Sequence, residues 1–196
     1  MFSKDEMTPI DQLHKRFVDQ LDTLIPFLGL AHEEIFLTLH ENYCGWFSIE
    51  QQATLPNSFR KYRTQVSHGA FLLGYSYAEA FITDLIWTIY HCRRDLLPPD
   101  KALKFSEVFS LGDYERIIMK MIDNTLGDMN SLEKKIHHLE TRLGLKVPQA
   151  KMLLEAHSAR NALVHNSGRV NRPQTSTSRW QLGNIIELTV DNVHCL

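Results

Sequence analysis

The strongest constraint on the fold is the segment 58–90, which keeps a helical spacing of apolar residues over its whole length. Positions such as Ile82, Leu85, Ile86 and Ile89 repeat at intervals of three and four residues. In the middle of the segment, apolar residues lie on most sides of a helical projection, so neighbouring elements must cover them. The sequence therefore predicts a long central helix inside a helical bundle.

The same spacing continues through most of the chain. Thr8 and Pro9 supply a helix N-cap and a first helical residue, and Pro26 and Gly29 should kink or split the helix that follows. Residues 42–57 contain a glycine and a proline and are expected to form a loop or a short turn of helix. Further helices are predicted over about 113–123, over 130–143 with Gly144 as a C-cap, and from about Pro148 to His165.

These segments predict an all-α class and a single domain over 1–196. Its parts would be an N-terminal helix over 8–41, a core bundle over 58–168 and a C-terminal loop and arm over 169–196. The last part combines a polar run with a short apolar alternation, so we expect it to be irregular or β-like.

Composition excludes several classes of protein. Hydrophobic residues make up 43% of the chain and charged residues 22%, which excludes global disorder. The net charge of −2 excludes a strongly basic nucleic-acid coat, although local basic clusters could still bind phosphate. No apolar run reaches the roughly 18 residues of a membrane span, and the first residues do not resemble a signal peptide. The three cysteines form no C-x-x-C pair, so we expect no metal site, and we expect no cofactor. The lack of an apolar span and of a signal-like start predicts a cytoplasmic protein with no membrane partner.

One helical segment, 156–166, could carry chemistry. With Arg160 at zero on a helical wheel, His157, Asn161 and His165 fall near about 60°, 100° and 140°, opposite an apolar stripe at about 260° to 320°. Histidine suits proton transfer near neutral pH, and the planar guanidinium of arginine suits phosphate oxygens. The alternative is a solvated helix face with no task.

The sequence RNALVH of residues 160–165 resembles the R-x4-6-H motif of the HEPN superfamily of ribonucleases. An acidic residue on a long helix often faces that motif in the family, and Glu79 lies in a similar segment, 77–85. The resemblance covers about 58–190 and is greatest to stand-alone defence-type members. It implies a HEPN-like bundle and a homodimer whose two motifs form one active site. It also implies metal-independent cleavage of RNA that leaves 2′,3′-cyclic phosphate ends.

The resemblance also implies roles for individual residues. His165 would be the acid–base group, Arg160 would stabilise charge on the phosphate, and Asn161 would orient the site. Glu79 would hold Arg160 or His165; Asp84, about 140° further round the helix, is the other acidic candidate and is expected to be an ordinary ion-pair residue. The residues expected to bind substrate are His157, Arg169 and Arg172.

The implied partners are an RNA substrate, a second copy of the chain and a protein antitoxin or inhibitor, as for a toxin or phage-defence effector. Family members controlled by a nucleotidyltransferase carry a tyrosine two residues after the motif histidine. Here Asn166-Ser167-Gly168 follows His165, so this regulation is not expected. The alternative function is an inactive helical dimer of the same type that binds a nucleotide or a protein partner.

Overall fold

The computed structural model describes residues 8–29, 44–46, 48–99, 102–166, 169–170 and 186. These residues are mostly helical and include no β-strand, which confirms the predicted all-α class for this part of the chain. The helices described are α1 (Pro9–Asp22), α2 (Leu24–Gly29), α3 (Ile49–Cys92), α4 (Phe105–Leu111), α5 (Tyr114–Asp128), α6 (Leu132–Thr141) and α7 (Ala150–His165). None of them combines the length and apolar character needed to cross a membrane. The expected C-terminal loop and arm lies outside the described residues except for 169–170 and 186.

Helix α1 begins as the sequence predicts. The Thr8 hydroxyl accepts a hydrogen bond from the backbone N–H of Asp11 at 3.2 Å, and the Asp11 carboxylate accepts from the backbone N–H of Thr8 at 3.1 Å. Hydrogen bonds from Thr8 lower the pKa of Asp11. The helix then ends at Asp22, before Pro26, because Pro26 has no N–H to donate to the carbonyl of residue 22. The predicted split is confirmed, and the rest of the expected N-terminal helix, 30–41, lies outside the described residues.

Helix α3 begins nine residues earlier than predicted, at Ile49 and not at Ser58, so the loop expected over 42–57 is wrong for 49–57. The cause is a reciprocal cap at its first turn. Backbone N–H of Ser48 donates to Gln51 Oε1 at 2.9 Å, and backbone N–H of Gln51 donates to Ser48 Oγ at 3.3 Å. The resulting helix has 44 residues and includes Pro56.

Shorter helices follow α3. Helix α4 was not predicted. Helix α5 begins after Asp113, whose side chain accepts from the backbone N–H of Glu115, and it extends five residues beyond the predicted end. Helix α6 begins after Ser131 and ends at Thr141 with Arg142 as its C-cap, so the C-cap predicted at Gly144 is wrong. Gly144 lies three residues beyond the helix, with φ 68°. Helix α7 ends at His165, as predicted.

Contacts within the chain divide it into two compact units. The first unit comprises 1–17 and 78–150, and the second comprises 18–77 and 151–196. Helix α3 is continuous across the division, so each unit contains part of the same helix. The prediction of a single domain stays a prediction.

The first unit has an apolar core from α3, α5 and α6. The Phe17 and Phe81 rings stack with centroids 4.6 Å apart, and Arg16 forms an ion pair with Asp84. The expectation of an ordinary ion pair at Asp84 is confirmed. The most deeply buried side chains of this unit are Ile86, Tyr90, Ile122, Leu132 and Leu139.

The second unit is built around the first part of α3 together with α7. Its buried side chains include Val66, Phe71 and Tyr75 from α3. Helix α2 approaches α3 closely: a Cβ added to Gly74 would lie 3.3 Å from Leu24 Cδ1. Larger residues at position 74 would therefore crowd this contact.

Candidate functional site

Helix α7 buries three alanines along one side and leaves polar residues half-buried on the other. Ala156, Ala159 and Ala162 are buried, with exposed fractions of 8%, 1% and 4%. Residues three apart lie on the same side of a helix. His157, Arg160 and Asn161, in the polar sector predicted to lie away from the apolar stripe, are half-buried.

These half-buried side chains form a continuous series of hydrogen bonds with α3. The Tyr75 hydroxyl lies 2.6 Å from His157 Nδ1, and Asn161 Nδ2 lies 3.0 Å from His157 Nε2. Arg160 Nη1 donates to Asn161 Oδ1 at 2.9 Å. We call these four residues the polar chain. The structure thus brings together three predicted site residues and adds Tyr75, all within the second unit.

The donors and acceptors fix the direction of the polar chain. A guanidinium only donates, so Asn161 presents its oxygen to Arg160 and its NH2 group to His157. His157 Nε2 must therefore accept and carry no proton. The neutral ring then has its proton on Nδ1 and donates it to the Tyr75 oxygen. The alternative expected a solvated face, whereas His157, Arg160 and Asn161 are half-buried and the series ends on a side chain that is only 5% exposed.

Tyr75 is the member of this group that the sequence did not single out. It lies among the apolar residues of the central helix, where the pattern predicts only burial. One signal was available: a tyrosine inside a buried stripe needs a hydrogen-bond partner for its hydroxyl. The sequence does not tell which residue supplies that partner.

His165 differs from the polar chain in its surroundings. It is the last residue of α7 and is exposed. Among the described residues, no hydrogen bond or ion pair of its side chain is found. An imidazole in this position is accessible to a ligand, as an acid–base group requires. Of the other predicted substrate-binding residues, Arg169 is exposed and Arg172 lies outside the described residues.

Glu79 lies in the first unit, and its partner there is Lys135. Lys135 Nζ is 4.0 Å from Glu79 Oε1 and donates to Thr83 Oγ1 at 2.9 Å. The Lys135 side chain is only 14% exposed, and its hydrogen bond to Thr83 keeps it beside the Glu79 carboxylate. The role predicted for Glu79, holding Arg160 or His165, stays a prediction.

A second tyrosine–histidine pair occurs in the first unit. The Tyr90 hydroxyl is hydrogen-bonded to His138 Nε2, and the two rings meet edge to face with centroids 5.8 Å apart. Burial lowers the pKa of His138, and the nearby charges of Arg142 and His137 act in the same direction. Burial also raises the pKa of Tyr90. His137, the residue before His138, is exposed. Within the described ranges, no three His, Cys, Asp or Glu residues are grouped so that they could hold a metal ion.

A third buried histidine environment lies in the second unit at His68. Burial lowers the pKa of His68, and a hydrogen bond to the backbone of Ile186 partly opposes this. Its Nε2 is buried and finds no hydrogen-bond partner in the part of the chain that the structure describes. A charged form of this ring would therefore be poorly solvated.

Aromatic residues at the start of α4 and α5 are unusually exposed. Phe105 and Phe109 are 78% and 71% exposed, and their rings contact each other with centroids 4.6 Å apart. Tyr114 is also exposed and lies under the guanidinium of Arg94, 5.4 Å from its ring centroid. We call Phe105, Phe109 and Tyr114 the aromatic surface.

Comparison with models of known protein families, with curated proteins and with solved structures found no match for this chain. The case for a function therefore depends on the residues of α7 and their hydrogen bonds.

Proposed function

We propose that the protein is a metal-independent endoribonuclease that cleaves RNA by attack of the 2′-hydroxyl group on the adjacent phosphate. The observation that carries this proposal is that one helix places a hydrogen-bonded arginine, Arg160, five residues before an exposed histidine, His165. Arg160 is held by Asn161, and His165 is exposed at the helix end. The spacing of the two residues, which resembles the HEPN motif, adds to the argument.

The proposed reaction needs a base, an acid and a stabilising positive charge. A neutral His165 imidazole takes the proton of the 2′-hydroxyl, and the 2′-oxygen forms a bond to phosphorus. The bond from phosphorus to the 5′-oxygen breaks, and that oxygen receives a proton from an acid. The products are a 2′,3′-cyclic phosphate and a 5′-hydroxyl end. Arg160 donates hydrogen bonds to the phosphate oxygens as negative charge grows on them.

A second copy of the chain would supply the acid. On an α-helix, residues five apart are separated by about 140° around the axis and about 7.5 Å along it. One helix therefore offers a single phosphate few groups, whereas two copies about a twofold axis offer two imidazoles and two guanidiniums. The resemblance also motivates a role as a toxin or phage-defence effector controlled by an antitoxin or inhibitor.

A second candidate function is an inactive helical dimer that binds a protein partner. The observation that favours it is the aromatic surface. Large side chains of this kind commonly mark interaction sites when they are exposed together. The net charge of −2 suits a protein partner as well as RNA.

The experiment that separates the two functions is incubation of purified protein with mixed RNA in the presence of EDTA. We expect cleavage that persists without divalent metal and leaves cyclic phosphate ends. An oligonucleotide with one ribonucleotide in a DNA strand should be cut only after that ribonucleotide, because DNA lacks the attacking hydroxyl. Strict dependence on Mg²⁺ or Mn²⁺ would overturn the mechanism.

Matched variants guard against a contaminating nuclease. Arg160→Ala and His165→Ala should each abolish cleavage and leave helicity and melting temperature nearly unchanged. His137→Ala removes another exposed histidine and should keep full activity. Equal cleavage by all four preparations would point to contamination and favour the partner-binding function.

A further inference from the structure

Tyr75 reaches Arg160 through two intermediate side chains. Its hydroxyl contacts His157 Nδ1 at 2.6 Å, His157 Nε2 contacts Asn161 Nδ2 at 3.0 Å, and Asn161 Oδ1 contacts Arg160 Nη1 at 2.9 Å. Tyr75 belongs to α3 and the other three residues to α7. The hydroxyl thus provides an anchor outside the helix that carries the guanidinium.

We propose that Tyr75 is a positioning residue that holds the Arg160 guanidinium in one orientation through His157 and Asn161. This inference rests on the proposed ribonuclease function, because the orientation matters for a phosphate bound at Arg160. Tyr75 itself does not touch the substrate in this scheme. Its task is to hold the His157 ring in place, so that Nε2 stays within hydrogen-bonding distance of Asn161.

The hydrogen bond between His157 Nδ1 and Tyr75 ties the His157 ring to α3. Without the Tyr75 oxygen that bond is lost, and the ring is held less tightly. Nε2 would then move from its place 3.0 Å from Asn161 Nδ2. The Asn161 amide cannot compensate by turning over, because its NH2 group would then face Arg160, which also only donates. Arg160 is therefore held less tightly as well.

Tyr75→Phe tests the proposal because it removes one oxygen atom and keeps the ring. Tyr90→Phe is the matched control: it removes the other described tyrosine–histidine hydrogen bond, which lies in the first unit. Both variants should lose some stability. We expect only Tyr75→Phe to change His157 and Arg160.

The first measurement does not involve RNA. Long-range ¹H–¹⁵N correlations of the imidazole ring should show His157 protonated on Nδ1 in the wild type, and the Nδ1 signal should shift in Tyr75→Phe because that group loses its hydrogen bond to the Tyr75 oxygen. Relaxation of the Arg160 ¹⁵Nε signal should show a more mobile guanidinium in Tyr75→Phe and an unchanged one in Tyr90→Phe. Unchanged His157 and Arg160 signals in Tyr75→Phe would overturn the proposal whether or not the protein cleaves RNA.

The second measurement is steady-state cleavage of RNA. Loss of one link in a hydrogen-bonded series should lower kcat by about 3- to 10-fold with little change in KM. An unchanged kcat despite altered NMR signals would overturn the role in catalysis. If the wild type cleaves no RNA, the proposed function fails, and the NMR measurement alone decides whether Tyr75 positions Arg160.

A second variant changes the polar chain at Asn161, next to Arg160, and covers the case in which Tyr75→Phe does not fold. In Asn161→Asp, the carboxylate accepts hydrogen bonds and donates none, so it can face Arg160 and a protonated His157 Nε2 together. We expect the His157 proton signal to appear on Nε2 in this variant. An unprotonated Nε2 would show that Asn161 does not set the state of His157 and would overturn the proposal.

Discussion

The two tyrosine–histidine pairs contain the same hydrogen bond but differ in the residues that contact the histidine. His157 has Asn161 on its second nitrogen, and Asn161 in turn is fixed by Arg160. That series defines where the His157 proton lies. His138 binds Tyr90 through Nε2, and burial together with the nearby positive charge of Arg142 lowers its pKa.

The lowered histidine pKa values predict a loss of stability in weak acid. Unfolded histidine takes up a proton below about pH 6.5, whereas folded His138 and His68 remain neutral to lower pH. The free energy of unfolding should therefore be largest above about pH 6.5 and decrease as the pH falls towards the lowered folded-state values. Denaturant unfolding between about pH 7.5 and pH 5.5 measures this dependence.

A pair of neighbouring histidines provides the control. His138→Gln should weaken the pH dependence, because it removes one of the groups with a lowered pKa. His137→Gln changes an exposed ring and should keep the wild-type slope. If both variants showed the same slope, His138 would not be a source of the effect.

Much of the residue-scale site was predictable from the sequence. Helical spacing alone placed His157, Arg160 and Asn161 in one sector, and the structure joins them by hydrogen bonds. Helical spacing also placed this sector on the side of the helix away from the apolar stripe, and the structure shows that these three residues are half-buried there. Tyr75 could not be found in this way, because its contact with His157 joins residues 82 apart.

At the scale of the elements, two glycines allow a comparison between a helical backbone position and a position with positive φ. Gly127 lies within α5, whereas Gly144 follows α6 in the left-handed region with φ 68°. A Cβ added at either position meets nothing within 4 Å. Any difference between alanine substitutions at these sites therefore reports backbone conformation and not steric overlap.

We expect the two substitutions to change stability in opposite directions. Gly127→Ala should raise the free energy of unfolding by about 0.5 kcal/mol, because alanine loses less backbone entropy on entering a helix. Gly144→Ala should lower it by about 1 kcal/mol, since a side chain is disfavoured at positive φ. Thermal and denaturant unfolding of both variants checks this. A loss of stability in Gly127→Ala would contradict the assigned helix.

Helix boundaries were less predictable than helix positions. The predicted start near Asp113 agrees with its place as N-cap of α5, whereas the C-cap of α6 is Arg142 and not the predicted Gly144. The start of α3 was missed because Pro56 was given more weight than the capping pattern of Ser48 and Gln51. A reciprocal cap satisfies two terminal N–H groups and so favours a helix start at Ile49.

At the scale of the whole molecule, the proposed reaction requires a second copy of the chain. We expect a particle of about 45 kDa by light scattering, which is twice the chain mass of 22.7 kDa. Adding an equal amount of inactive His165→Ala subunits and allowing exchange should reduce the total activity to about half, because mixed dimers have only one His165. A fully active monomer, or no loss on mixing, would contradict the shared site.

The division of the chain into interleaved units has a consequence for its synthesis. The first unit has all its residues once residue 150 is made, whereas the second unit still lacks α7 at that point. Tyr75 is synthesised 82 residues before His157. At ribosomal rates, about 4 to 16 s therefore pass between the synthesis of Tyr75 and that of its hydrogen-bonding partner His157. A chain whose synthesis stopped after residue 150 would contain every residue of the first unit but would lack the histidine that binds Tyr75.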